Sequence, residues 1–162
     1  MVSNLRIKFF IGLFIASVFG LGLNSNTNAQ TQRLKAAFRS DAATQQPLYT
    51  EYRGVRLGMS AEEARAKLGS PARQGSDQDL YVFSENESAQ IHYNTALKVV
   101  TISVDFLGGI DAPDYKTVVG GELKSTNGSL YRLARYESMG FWVSYYRTIG
   151  PVPSVTVTIQ KI

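Results

Sequence analysis

The chain has 162 residues, of which 44% are hydrophobic and 19% charged, a composition typical of one globular domain or two very small ones. It contains no cysteine, which excludes disulfides, thiol catalysis, zinc–thiolate sites and a lipidated cysteine. The formal net charge of +4 falls to +2 without the first 29 residues, because these carry Arg6 and Lys8 and no acidic residue. So small a charge does not indicate a nucleic-acid-binding protein.

The first 29 residues have the layout of a secretory signal peptide. Arg6 and Lys8 precede the apolar run 9–23, and a polar stretch with small residues leads to a predicted cleavage after Ala29. The alternative is a single membrane anchor, but an apolar run of about 15 residues is short against the ~20 needed to span a bilayer. We therefore expect a periplasmic or secreted protein without a stable membrane anchor after cleavage. Residues 30–48 are polar and weakly patterned, which favours a flexible leader.

The segment GMSAEEARAKLG, residues 58–69, predicts a short helix with defined ends. Ser60 is a favourable N-cap, and Glu63 three residues later completes a capping box. Gly69 tolerates the positive φ that ends many helices. The apolar residues form one narrow stripe, so the helix must pack against another element: Ala61, Ala64 and Leu68.

Three strand-like runs follow this helix, at residues 80–84, 89–94 and 98–106. In the third run, apolar and polar residues alternate, which predicts a strand with one buried and one wet face. The buried set is expected to be Val100, Ile102, Val104 and Phe106.

A similar series recurs later in the chain. Residues 115–121, YKTVVGG, match a short helix only in a degenerate form without a clear helix motif, and three more strand-like runs follow at residues 129–137, 141–148 and 154–162. The spacing favours two tandem αβββ units, 49–110 and 111–162, which share one sheet or stand apart. The alternative, that any two series of antiparallel strands look alike, stays open. The expected fold is α+β, with a short helix packed on an antiparallel β-sheet.

The stretch YRGVRLGMSAEEARAKLGSP (52–71), followed by DLYVFS and KVVTISVDF, resembles the SmpA/OmlA family of outer-membrane assembly lipoproteins and the related modules of the β-lactamase-inhibitory protein. The resemblance covers residues 52–106. It implies a helix on one face of a small sheet, and a non-enzymatic binding or scaffold module of the bacterial cell envelope. The chain departs from the pattern at Ala64, where a larger aliphatic residue is usual, and in having no cysteine for a lipid anchor.

No catalytic, metal or cofactor site is predicted. The only histidine, His92, is expected on the polar side of a strand and lacks a nearby nucleophile and orienting acid in the sequence. Four carboxylates gather near one turn, but their spacing fits no calcium-binding loop, and a solvated acidic loop is the favoured interpretation: Asp77, Asp79, Glu85 and Glu87.

The strongest functional candidate is a surface in the second half of the chain. Residues 115–162 carry six basic and two acidic residues, whereas residues 50–110 carry six basic and eight acidic ones. If Phe141, Val143 and Tyr145 face a helix, then the residues between them face outward, with Arg132, Ala134 and Tyr136 expected alongside. Exposed Trp, Tyr and Arg are typical of binding hot spots. The predicted protein-binding residues are Arg132, Tyr136, Trp142, Tyr146 and Arg147.

The opposite interpretation is that a second layer or the leader covers this face, which would make its aromatic residues part of the core. With the surface exposed, the sequence predicts a non-enzymatic module that binds another envelope or secreted protein and no nucleic acid. A module that binds a small ligand or a glycan through the same aromatic face is the alternative, with sugar rings stacked on Trp142 or Tyr146 in a concave pocket.

Overall fold

A computed structural model of the protein describes residues 46–162, so the predicted signal peptide and the leader up to residue 45 lie outside the described part. These residues form two α-helices, α1 (Ala61–Leu68) and α2 (Tyr115–Val119), a 3-10 helix (Glu137–Met139) and ten strands. No helix in this part is long and apolar enough to cross a membrane. The strands are β1 (Glu51–Tyr52), β2 (Val55–Arg56), β3 (Arg73–Gln74), β4 (Gln78–Val82), β5 (Glu87–Tyr93), β6 (Val99–Leu107), β7 (Lys124–Thr126), β8 (Ser129–Tyr136), β9 (Phe141–Thr148) and β10 (Ser154–Lys161).

Eight of the strands form one antiparallel sheet in the order β3-β4-β5-β6-β10-β9-β8-β7, and β1 pairs with β2 in a separate hairpin. The two series of strands therefore meet where β6 pairs with β10, from Leu107 opposite Ser154 to Thr101 opposite Gln160. The predicted α+β class, a short helix on an antiparallel sheet, is confirmed. The sequence patterns predict one strand too few in each series, because β3 and β7 have only two and three residues and are too short to show a period.

Both helices cover the same face of the sheet, which we call the inner face. From α1, Arg65 Nε lies 2.8 Å from Asp79 Oδ2 on β4, and from α2 the Tyr115 ring lies 6.2 Å from that of Tyr145 on β9. Directly paired residues of neighbouring strands share a face, and the register runs from Asp79 through Ile91 and onward across the sheet to β9. The buried aliphatic residues of the sheet lie on this face: Ile91, Ile102, Val104, Val143, Val155, Val157 and Ile159.

The predicted alternation in β6 fails at one residue. The register of β5 and β6 shifts between His92 and Tyr93, so that Tyr93 pairs with Val99. Val99 is consequently fully buried, while Val100, which the pattern assigned to the core, is half-buried. A bulge adds one residue to a strand and changes which face the following side chains take, and a strict period of two cannot anticipate it.

The start of α1 has the predicted capping box. Glu63 N donates to Ser60 Oγ at 3.1 Å, and Ser60 N donates to Glu63 Oε2 at 2.7 Å. The apolar stripe of the helix faces the core as expected, with Ala61 and Ala64 buried and Leu68 partly buried against the core. The helix ends at Gly69, whose φ is 84°.

We expect Ser60→Ala to lower the free energy of unfolding by about 1 kcal/mol, because one helix N–H loses its acceptor. Urea denaturation at pH 7 would measure this change as a lower midpoint with an unchanged slope. Ser70→Ala, an exposed serine after the helix, is the matched control and should leave the midpoint in place. Equal midpoints for the two variants would contradict a stabilising cap at Ser60.

One of the four predicted loop carboxylates is buried. Asp79 is 0% exposed and accepts from Arg65 Nε and Nη2 at 2.8 and 3.2 Å, from Tyr93 Oη at 2.8 Å, and from Gly75 N at 3.3 Å. Burial by itself would raise the pKa of Asp79, but the Arg65 charge and these donors outweigh it and hold the pKa below its usual value. The ion pair thus fastens α1 to β4, and the solvated-loop prediction is wrong for Asp79.

Glu87 also has a structural role. It accepts from Tyr52 Oη at 2.7 Å and from Arg53 Nη2 at 2.6 Å, which fixes the β1–β2 hairpin to the first residue of β5. Burial and this hydrogen bond raise the pKa of Tyr52. Within residues 46–162, no three histidine or carboxylate side chains converge as metal ligands would. The two remaining carboxylates of the acidic segment are exposed, as predicted: Asp77 and Glu85.

Candidate functional site

The face of the sheet opposite α1 and α2, which we call the outer face, carries the candidate site. The conditional prediction for β9 is confirmed: Phe141, Val143 and Tyr145 are buried on the inner face. Trp142 and Tyr146 consequently point to the outer face. Of the described elements outside the sheet, the two helices and the β1–β2 hairpin all lie on the inner side through the contacts given above.

The aromatic end of the outer face consists of cross-strand pairs on β8 and β9. Trp142 pairs with Arg135, and Tyr146 pairs with Tyr131. Leu133 lies between them, opposite Ser144. Tyr131 and Tyr146 are 36% and 39% exposed, so their rings are accessible to a partner. Neither residue is on an edge strand, because β8 lies beside the edge strand β7 and β9 lies between β8 and β10. We call Tyr131, Arg135, Trp142 and Tyr146 the aromatic patch.

A depression of about 320 Å³ adjoins the two tyrosines of this patch. Ser129 and Asn127 complete its described lining, and Ser129 Oγ lies 2.8 Å from Tyr146 Oη. Asn127 has a φ of 47°, in the left-handed region, where the chain turns sharply from β7 into β8. The depression therefore combines two aromatic rings with hydroxyl and amide groups.

The rest of the outer face carries the apolar residues Leu80 and Val82 on β4, of which Val82 is 59% exposed, and polar residues on β5, β6 and β10. On the β6–β10 seam, Thr156 Oγ1 donates to Asp105 Oδ1 at 2.6 Å, and Ser103 and Thr158 share a hydrogen bond of 3.2 Å. His92 lies on this face, as predicted, in register with Gln78 and Thr101. Neither of these neighbours is a carboxylate that would orient the ring for catalysis.

The structure separates the five predicted binding residues. Trp142 and Tyr146 lie on the outer face, but the other three lie on the inner side. Arg132 pairs with Tyr145 and donates to the carbonyl oxygens of Val119 and Glu122, both at 3.2 Å. Arg132 thus caps the C-terminal end of α2 and holds the loop that follows it.

Tyr136 and Arg147 complete this correction. Tyr136 is buried with its ring 5.1 Å from that of Phe141, and Arg147 is exposed at a register position opposite Leu130 and Val155. The expectation that Arg132, Ala134 and Tyr136 lie beside Trp142 is wrong, because these residues face the inner side and the alternate residues of β8 face the outer side. The outer-face residues of β8 that the sequence prediction missed are Tyr131, Leu133 and Arg135.

The physical reason is that a shift of one residue moves a whole strand to the other face. In the run SLYRLARY, residues 129–136, both alternate sets mix apolar and basic side chains, so hydrophobicity does not choose between them. The register is set by the connection between β8 and β9, where the 3-10 helix Glu137–Met139 places Tyr136 opposite Phe141.

Comparison of the chain with family models, with curated proteins and with solved structures gave no match.

Proposed function

We propose that the protein is an exported, non-enzymatic binding module that contacts another envelope or secreted protein through the aromatic patch on its outer face. The observation that carries the proposal is the register that brings Trp142, Arg135, Tyr131 and Tyr146 together on two hydrogen-bonded strands. Trp, Tyr and Arg are enriched among the few residues that dominate the binding energy of protein interfaces. The predicted signal peptide, residues 1–29, supports an exported location, and the resemblance of residues 52–106 supports a binding role.

Rigidity favours this use of the patch. β9 is paired with β8 over its whole length and with β10 from Phe141 to Arg147, so the aromatic residues that it carries are held by main-chain hydrogen bonds. A preformed surface loses less conformational entropy on binding than a mobile loop does. A standard interface buries about 800 Å² on each partner, so we expect the partner to extend from the aromatic patch onto the polar seam.

The proposal is tested by crosslinking capture from the native cell envelope with tagged mature protein. We expect a specific partner to be captured, and Trp142→Ala, Tyr146→Ala to lose it, because truncating two hot-spot residues costs at least 2 kcal/mol each in typical interfaces, roughly 30-fold in affinity per residue. The captured protein is then purified, and its affinity for each variant is measured directly.

The matched control is Gln78→Ala, Gln90→Ala, which truncates two exposed residues of β4 and β5 on the same face, outside the β6–β10 seam. Both double variants must first show the far-UV circular dichroism and melting temperature of the unchanged protein. If both bind the purified partner as tightly as the unchanged protein does, the aromatic patch is not the contact surface.

The depression beside Tyr131 and Tyr146 favours a second candidate, a module that binds a glycan or another small ligand. Its volume lies at the lower end of the ~300–1,000 Å³ of small-molecule pockets, and its rings and hydroxyls suit a stacked sugar. The single variants Trp142→Ala and Tyr146→Ala separate the two functions when soluble oligosaccharides are titrated. A saccharide site would depend on Tyr146 and not on Trp142, which lies outside the described lining of the depression.

A further inference from the structure

A cleft on the other side of the molecule has no part in the proposed function. It has a volume of about 330 Å³ and lies between the residues that follow β2 and the turn that leads into β9. Its floor consists of the inner-face residues Phe141 and Ile159, which are buried. Leu57, half-buried, and Met139, 60% exposed, form apolar walls.

The polar side chains at this cleft make it electropositive. Arg56 and Lys161 both contribute to its lining, and none of its described lining residues is acidic. Arg56 is neutralised in part by Glu51, whose Oε2 lies 2.5 Å from both Nε and Nη2 of the guanidinium. Lys161 has no ion pair among the described residues. Within residues 46–162, the cleft therefore presents an apolar floor with one positive charge, that of Lys161, which no ion pair compensates.

We infer that this cleft binds a small ligand with an apolar body and a single carboxylate, such as a medium-chain fatty acid, with Lys161 as the carboxylate contact. The volume suits one alkyl chain, since it lies at the lower end of the range for small-molecule pockets. Each methylene buried against the floor should contribute about fourfold in affinity. The contact with Lys161, which is exposed, adds a smaller, salt-sensitive factor and fixes the orientation of the ligand.

The test is a titration of the 15N-labelled mature protein with octanoate, followed by amide NMR at low salt. We expect saturable shifts at Gly58 and Gly140, the two glycines of the cleft lining. Octanol, which has the same chain length and no charge, should bind about two- to fivefold more weakly. Butanoate, with four fewer methylenes, should bind at least 100-fold more weakly than octanoate.

Lys161→Gln should reduce the affinity for octanoate to that for octanol and leave the octanol affinity unchanged. Lys124→Gln, an exposed lysine on the far edge strand β7, is the matched control and should change neither. The inference is overturned if octanoate causes no saturable shift at the two glycines, if butanoate binds as well as octanoate, or if Lys161→Gln leaves octanoate binding as it was. Because the aromatic patch is on the opposite face, its variants should bind octanoate normally.

Discussion

Replacing Asp79 with asparagine is expected to lower the free energy of unfolding at pH 7 by about 3 kcal/mol, because breaking a buried ion pair leaves the partner charge uncompensated. The carboxylate is 0% exposed and accepts four hydrogen bonds, from Arg65, Tyr93 and Gly75. An amide keeps the shape and loses the charge. The Arg65 side chain is 30% exposed, so water can solvate part of its unpaired charge in the variant. We therefore place the loss of stability at the lower end of the usual 3–5 kcal/mol.

The same pair makes stability depend on pH in a defined direction. The pKa of Asp79 is lowered in the folded protein, so the unfolded chain takes up a proton at a higher pH than the folded one. The contribution of Asp79 is therefore complete above about pH 5 and is lost as pH falls from about 4 through the lower, folded pKa. The difference in free energy of unfolding between the unchanged protein and Asp79→Asn should accordingly become smaller as the pH falls.

Urea denaturation of the unchanged protein and of Asp79→Asn, at pH 7 and in steps down to pH 3, measures both effects. Asp77→Asn, an exposed neighbour, is the control and should differ little from the unchanged protein at any pH. A deficit at pH 7 no larger for Asp79→Asn than for Asp77→Asn would show that the ion pair does not stabilise the fold.

Ile102→Ala is expected to lower the free energy of unfolding by about 3 kcal/mol, through lost burial and the cavity that remains. Ile102 is 0% exposed and stands on β6 between Ile91 of β5 and Ile159 of β10. Its neighbours are held in the middle of an eight-stranded sheet and have little freedom to fill the space. Val100→Ala, at a half-buried position of the same strand, should cost less.

This variant also tests whether the two series of strands unfold together. Ile102 belongs to the first series, while the only tryptophan, Trp142, belongs to the second. Because β6 and β10 pair over seven residue positions, we expect one cooperative transition, in which Trp142 fluorescence and far-UV circular dichroism shift together. A tryptophan transition that stays at its original midpoint while the circular dichroism shifts would show two independently folding halves.

The sequence predicts those parts of the fold that depend on neighbouring residues. The capping box at Ser60 involves residues within one turn of each other. The long strands are recognisable because hydrophobic alternation is a local property. The predicted run 141–148 coincides with β9.

The candidate site depended on register, which is not local. Tyr131 became part of the aromatic patch and Tyr136 part of the core because β8 pairs with β9 in one alignment and not in the next. The partners of Asp79 and Glu87 likewise come from elements up to 35 residues away in the chain, so composition alone suggested a wet loop. Tertiary pairing decided these positions, and only the outward direction of Trp142 and Tyr146 followed from their own strand.

The symmetric strand order has a consequence for how the molecule avoids self-association. The sheet ends in β3 and β7, which have two and three residues and carry Arg73 and Lys124. Short, charged borders of this kind give a neighbouring chain little backbone to extend. The longest strand, β6 with nine residues, and β10 with eight pair with each other in the middle of the sheet, so neither has an unpaired edge. Each series of strands thus covers the long edge strand that the other would otherwise expose. Separating the two series would leave β6 and β10 as unpaired edges, and we expect this to promote fibrous aggregation.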